Sequence, residues 1–413
     1  MVGAGIFALL GESAKMAGSA VWLMFLAAGV IALLTGYSFV QLGIRYPTRG
    51  GVVEYLVRSY GPGTFSGACS VLFYIAQLIG VAMISLAFGK YAAKLIGISD
   101  NLHVWERVLA SGLVIFLAAL NLAGSKMLSK IQRVIVIANL VILGSFAIGL
   151  SSFVQASNLS VNTWPDTGPI LGSLALTFFA FTGFAVISNA ADRFKNPEKE
   201  LPRAMFATIL IVITLYLALS IGVVGTVDAP TLTSSGPMLL VEAARTAFGP
   251  IALKALLISA VISTITCING GLFGITNITF TLAAKGQLPP RFKESLRAST
   301  HGLTISVVIA LIMLNFLSLT TVASLGSATS LLVYSLVNLG ALKLIRGNAL
   351  KSSIIALSVI ACLFAITIWV IYTLRSSPSS LGIFAFFLVA AFVAETLLQR
   401  YQGRRILADT DVS

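Results

Sequence analysis

Apolar stretches of about 20 residues recur along almost the whole chain, and no other feature narrows its possible folds as far. Each run is long enough to cross ~30 Å of hydrocarbon as a helix. Backbone inside a bilayer must satisfy its own hydrogen bonds, so the runs specify an all-α bundle embedded in the membrane. The pattern predicts helices over residues 1–17 (short), 20–44, 65–96, 105–123, 131–154, 168–191, 203–226, 249–284, 302–317, 322–344, 352–374 and 380–399. Charged residues make up only 10% of the chain, against roughly 25% in soluble domains. Cys69, Cys267 and Cys362 fall inside apolar runs without metal-ligand or disulfide spacing, and His103 and His301 are far apart. No cofactor and no metal site is implied, and no His/Asp/Ser constellation points to an enzyme.

The formal net charge is +13. Its placement reports topology rather than nucleic-acid binding. Most of the 27 basic residues sit in alternate loops and the tail. They are Arg45, Arg49 and Arg58; Lys126, Lys130 and Arg133; Arg193, Lys195, Lys199 and Arg203; Lys285, Arg291, Lys293 and Arg297; Lys343, Arg346 and Lys351; and Arg400, Arg404 and Arg405. The positive-inside rule puts these loops and the C-terminus in the cytoplasm. The expected architecture is a single polytopic domain with 11 full spans and a short first helix that runs outward from mid-membrane. A half-helix of ~10–15 residues before Met1 would complete a twelve-span protein with both ends inside.

Two segments break the apolar rule in a way that carries chemistry. Met1-Val2-Gly3-Ala4-Gly5-Ile6-Phe7 places two glycines one residue apart, where helical geometry is left at little steric cost. Five spans later, Phe178-Phe179-Ala180-Phe181-Thr182-Gly183-Phe184 puts a glycine in an aromatic setting at the middle of the sixth run. Breaks at corresponding positions of two halves are what an inverted 5+5 repeat predicts. The first repeat then covers 1–154, N-terminally truncated, and the second covers 168–344. Two additional helices (352–399) and a cytoplasmic tail (400–413) follow.

In this order and spacing the chain resembles the amino acid–polyamine–organocation (APC) superfamily of transporters, above all its prokaryotic amino acid permeases. Gly3-Ala4-Gly5-Ile6-Phe7 with Gly11 and Gly18 is similar to that family's first-helix signature. Tyr46-Pro47-Thr48-Arg49-Gly50-Gly51-Val52-Val53-Glu54-Tyr55 resembles its helix 2–3 loop, and Phe178–Gly183 with Asn196-Pro197 and Leu201-Pro202-Arg203 its helix 6 region. Leu282-Ala283-Ala284-Lys285-Gly286-Gln287-Leu288-Pro289 resembles the segment closing helix 8. The arginine and the acidic residue often found in that last segment are replaced here, at Thr279–Thr281 and Lys285. Gating salt bridges of the family are therefore not expected to carry over unchanged.

The break chemistry suits an amino acid. A helix restarting at Gly5-Ile6-Phe7 offers unpaired N–H groups to a carboxylate. A half-helix ending at Phe179-Ala180-Phe181 offers carbonyls to an ammonium. The resemblance implies the same assignment: Gly3, Ala4 and Gly5, beside Ile6, near the carboxylate; Phe179, Ala180 and Thr182, beside Phe181 and Gly183, near the ammonium; and Phe179 as a lid. No Asp, Glu, Lys or Arg lies in the middle third of any span, which favours a neutral substrate. Tyr74, Gln77 and Gly80 on the third helix and Ser327 on the tenth are candidates for the side-chain pocket, with Ser324 and Ser330 beside them.

Where proton-coupled and exchanger relatives often carry a helix 5 lysine, the resemblance aligns Asn139. Coupling to a proton or to sodium is expected among Val2, Asn139, Ser263, Thr264 and Thr266, with uncoupled exchange as the alternative. The expected function is a permease carrying a neutral amino acid across the cytoplasmic membrane by alternating access. A polyamine or organocation carrier is the rival within the fold, and a non-transporting amino acid sensor the rival of another class.

Overall fold

The computed structural model describes residues 2, 4–48, 50–123, 127–189, 191–288, 300–345 and 348–402. Gly3 of the expected site lies outside the described residues. So do the tail beyond 402 and the basic residues Arg49, Lys126, Arg291, Lys293, Arg297, Arg346, Arg404 and Arg405.

The chain runs through α1 (Ala4–Ala17), α2 (Val21–Arg45), α3 (Val52–Tyr60), α4 (Thr64–Ile96), α5 (Leu102–Ala123) and α6 (Met127–Leu150). It continues through α7 (Thr167–Phe179), α8 (Ala185–Ser188), α9 (Pro197–Thr226), α10 (Ala229–Ser234), α11 (Leu239–Phe248) and α12 (Pro250–Ala284). The last four are α13 (Thr300–Phe316), α14 (Leu319–Leu344), α15 (Ala349–Ser376) and α16 (Pro378–Gln402). Among the described residues, 10 helical stretches are long and apolar enough to cross a membrane. One of them, Gly5–Arg45, passes through the 3-10 turn Gly18–Ala20 that separates α1 from α2, and His301–Phe316 is a shorter apolar helix.

Every expected helix is present, but three elements differ. Residues 52–60, read as loop, form α3, whose Val52, Val53, Leu56 and Val57 are buried while Arg58 is exposed. The segment between α9 and α12 holds α10 and α11 rather than plain loop. The sixth run is not one helix: α7 stops at Phe179, a 3-10 turn covers Thr182–Phe184, and α8 resumes at Ala185. In addition, α9 starts at Pro197 rather than at 203, because a proline suits the first helical turn.

Close packing at the centre comes from small residues. Gly29, Gly36 and Gly43 recur every two turns on α2, and a Cβ at each would fall 2.5–2.8 Å from Ile213, Ile209 and Leu201 of α9. In a bilayer such stripes let helices approach where no hydrophobic force distinguishes partner from lipid. An aromatic cluster of Phe39, Phe178, Phe184 and Tyr334, with ring centroids 5.3–6.1 Å apart, fills the space between α2, α7, the 3-10 turn Thr182–Phe184 and α14. The outer faces are apolar as well. Val134, Ile137, Val141 and Ile148 lie exposed along one face of α6, and Phe386, Val389 and Val393 along α16. Such faces suit lipid contact and would be costly in water.

Candidate functional site

The start of α1 and the break after α7 meet. A Cβ at Gly5 would sit 2.9 Å from the Ala180 carbonyl oxygen and 2.7 Å from the Tyr216 hydroxyl, so only glycine allows this approach. The described helix α1 begins at Ala4, and the first N–H groups of a helix in general lack an intrahelical partner. On the other side the chain from Ala180 to Phe184 bonds i→i+3: the Ala180 amide donates to Thr177, that of Phe181 to Phe178, and that of Phe184 to Phe181.

The carbonyls of this break are not bare, which corrects the expectation from sequence. The Thr182 hydroxyl donates to the Phe179 carbonyl (2.8 Å), Tyr216 to Ala180 (3.4 Å) and Tyr334 to Thr182 (2.9 Å). Each carbonyl keeps a second lone pair, so the break is stabilised without being neutralised as an acceptor surface. Tyr216 also meets the Ile6 backbone, so one buried hydroxyl joins both breaks. A tyrosine in the middle of an apolar span was the available signal for this role, since its hydroxyl needs a partner there.

Beside the junction lies a cavity of about 630 Å³. Of the expected residues it is lined by Val2, Gly5, Gln77, Gly80, Phe179, Ala180, Thr182, Gly183 and Thr266. Ile6 and Phe181 are fully buried behind this wall. Phe179 packs its ring against Gly326 of α14, where a Cβ would be 2.5 Å away, and stands 3.9 Å from a Cβ built on Gly80. Gln132 of α6, Thr208 of α9 and Cys267 of α12 line the cavity too, although nothing in the sequence reading singled them out. No Asp, Glu, Lys, Arg or His is among its described lining residues.

Other expected residues point elsewhere. The Tyr74 hydroxyl pairs with Ser306 at 2.7 Å, Ser327 donates to the Ala175 carbonyl, and Ser324 accepts from the Trp369 indole at 2.8 Å. These three side chains tie helices together rather than facing the cavity. Asn139 donates to Ser263 (3.1 Å) and accepts from Ser259 (2.8 Å), a neutral and satisfied triad between α6 and α12. Thr264 and Thr266 turn their hydroxyls to the carbonyls of Ala260 and Ile262 in their own helix.

The two ends of the bundle differ. The cavity walls run from the junction toward the starts of α6 and α9, which carry basic residues, and toward the end of α12 that Lys285 follows, by way of Gln132, Thr208 and Gly274. The opposite side is packed. Gly11 abuts the Gly236 carbonyl, and Tyr91 donates to the carbonyls of Phe7 (2.6 Å) and Pro237 (2.7 Å), sharing one proton. Buried Glu12 binds Lys15 at 3.1 Å and accepts from Thr320 at 2.7 Å. At the basic end, Glu54 of α3 binds Lys285, the residue after α12, at 2.6 Å and Arg58 at 2.5 Å. Burial pushes the neighbouring Tyr55 hydroxyl well above its ordinary ionisation range, so it stays protonated.

The chain matches the family model described as amino acid permease over residues 1–396. It is 30% identical to the inner membrane transport protein YbaT of Escherichia coli over 380 residues, 92% of this chain and 88% of that one. It is 28% identical to the serine/threonine exchanger SteT of Bacillus subtilis, covering 76% of this chain and 73% of that one. The chloroplastic cationic amino acid transporter 9 of Arabidopsis thaliana is 26% identical, over 71% of this chain and 54% of that protein. The chain belongs to the amino acid permease family of the APC superfamily: it is a multi-pass membrane transporter and not an enzyme.

Proposed function

From this membership we propose that the protein carries a neutral amino acid across the cytoplasmic membrane by alternating access. The observation that carries the proposal is the meeting of the α1 start and the α7 break at the wall of a cavity whose described lining has no charged side chain. The N–H groups at Ala4 and Gly5 take the carboxylate, and the carbonyls from Phe179 to Phe181 take the ammonium. Both charges of the substrate are met by the backbone, so the side chains of the cavity need not be ionised. Phe179, held between Gly80 and Gly326, closes over the bound molecule.

Alternating access fits the asymmetry of the bundle: the cavity reaches toward the basic end while the Gly11–Gly236 and Tyr91 contacts close the other. By the positive-inside rule the basic end, with the C-terminus, is cytoplasmic. Helices 1–154 and 168–344 act as the two inverted repeats that rock about the junction. A polyamine or cationic amino acid would leave its extra charge without a carboxylate in the described lining, which disfavours that reading although one relative carries cationic substrates by name. A sensor role gains nothing from a cavity of this size.

The test is uptake of a panel of radiolabelled amino acids into proteoliposomes, with imposed sodium, proton or substrate gradients. Exchange of neutral amino acids is expected. Saturable uptake of cationic substrates alone would overturn the proposal.

A further inference from the structure

We infer that Gln77 and Gln132 select for an uncharged polar side chain on the substrate, a hydroxyl or a carboxamide, over an apolar side chain of the same size. The inference rests on the amino acid reading above and goes beyond it by naming what reads the side chain.

Gln77 projects from the middle of α4 and Gln132 from the early turns of α6, and both line the cavity. Gly80 is three residues beyond Gln77 on the same face of α4 and adjoins the Phe179 ring, which sets Gln77 beside the break. On the other side, a Cβ at Gly270 would be 3.5 Å from Gln132 Nε2, so the Gln132 amide lies across the glycine-lined face of α12. Gly270, Gly271 and Gly274 supply no side chains there, and the space they leave is part of the cavity.

The polar lining is otherwise mostly committed. Thr182 and Thr266 spend their hydroxyl protons on the carbonyls of Phe179 and Ile262. The two glutamine amides make no hydrogen bond to any described residue, so each offers two donors and an acceptor oxygen to whatever enters. A group that both donates and accepts matches a hydroxyl or a carboxamide. A Met or Leu at either place would fill the same volume without a polar group, so two amides open to an otherwise largely apolar cavity point to a polar group on what enters it. A site built around such a bond rejects the analogue that lacks it, because closing over an apolar group strands the amide.

Threonine and valine are nearly isosteric and differ in the group at issue. In proteoliposomes holding the whole chain, competition against a labelled neutral substrate is expected to favour threonine over valine by about tenfold or more. Gln77→Met and Gln132→Met should each bring that ratio toward unity. The ratio is internal to each variant, so differences in yield cancel, and the wild-type comparison needs no variant at all. Valine competing as well as threonine in the wild type overturns the inference while leaving the neutral amino acid reading standing. An unchanged ratio in both variants overturns it too. Failure of every amino acid to compete would sink the amino acid reading itself, and this inference with it.

Discussion

Glu54 of α3 and Lys285 after α12 form a buried ion pair whose energetics are open to direct measurement. Glu54 is 1% exposed at its side chain and Lys285 8%, whereas Arg58, the second cation on Glu54, is 32% exposed. Glu54→Gln keeps the shape but removes the carboxylate that faces both cations. Removing one partner of a buried ion pair costs roughly 3–5 kcal/mol, because the surviving charge stays desolvated. Lys285→Met is the milder change. Glu54 keeps Arg58 and the unbranched methionine follows the lysine stem, so the carboxylate is not left uncompensated and the loss should fall below the roughly 3–5 kcal/mol of a broken buried pair. In Glu54→Gln/Lys285→Met the buried ammonium that has lost its carboxylate is gone, so the double variant should be more stable than Glu54→Gln alone. The two single losses should then exceed the double loss by more than the Lys285→Met loss itself. Denaturant unfolding of the purified protein in detergent micelles measures all three. Glu54→Gln no worse than Lys285→Met, or single effects that simply add, would refute the argument that burial makes the pair asymmetric.

Further outcomes follow from the site. Cys267 lines the cavity while Cys69 and Cys362 are 1% and 0% exposed, so a small thiol reagent should inhibit uptake through Cys267 alone. Substrate should protect, Cys267→Ala should be insensitive, and inhibition persisting in that variant would contradict the placement of the cavity. Tyr216→Phe keeps the ring contacts with Phe25 and Phe181 at 5.6 and 5.2 Å but loses the hydroxyl that joins the breaks. Losing its contacts to Ala180 and Ile6, at about 1 kcal/mol or more in all, should slow exchange at least roughly fivefold, measured as initial rate at saturating substrate. Asn139 sits in a neutral triad with Ser259 and Ser263, so Asn139→Ala should leave the pH profile of uptake unchanged. Uptake driven by a pH gradient in the wild type and lost in Asn139→Ala would disprove that reading.

The sequence disclosed some parts of this site and hid others for a physical reason. A helix break is a local event: glycines within a few residues of each other, or among aromatics, mark it wherever the helix faces. The break beside Gly183 was therefore legible, and the two segments expected to meet do so where Gly5 lies against Ala180. A side-chain pocket requires helical phase, meaning which face of each span looks inward. In a soluble helix polarity gives the phase. Here lipid and core are both apolar, so α4 carries buried residues almost all round and its sequence leaves the orientation of Tyr74 and Gln77 undetermined.

The structure separates those two residues by their partners: Tyr74 is bound to Ser306, whereas Gln77 lines the cavity. Gln132 escaped notice for a related reason, since a polar residue near the end of a span reads as an interfacial one. It lines the cavity beside Gly270 of α12, where a Cβ would be 3.5 Å from its amide nitrogen. The same argument applies to α3. Its nine residues are too short for a span, and they acquire a face only because α4 and α14 pack against them. In a membrane carrier, then, backbone chemistry can be read along the chain, while the groups that distinguish one substrate from another depend on how helices of similar apolarity are rotated against each other.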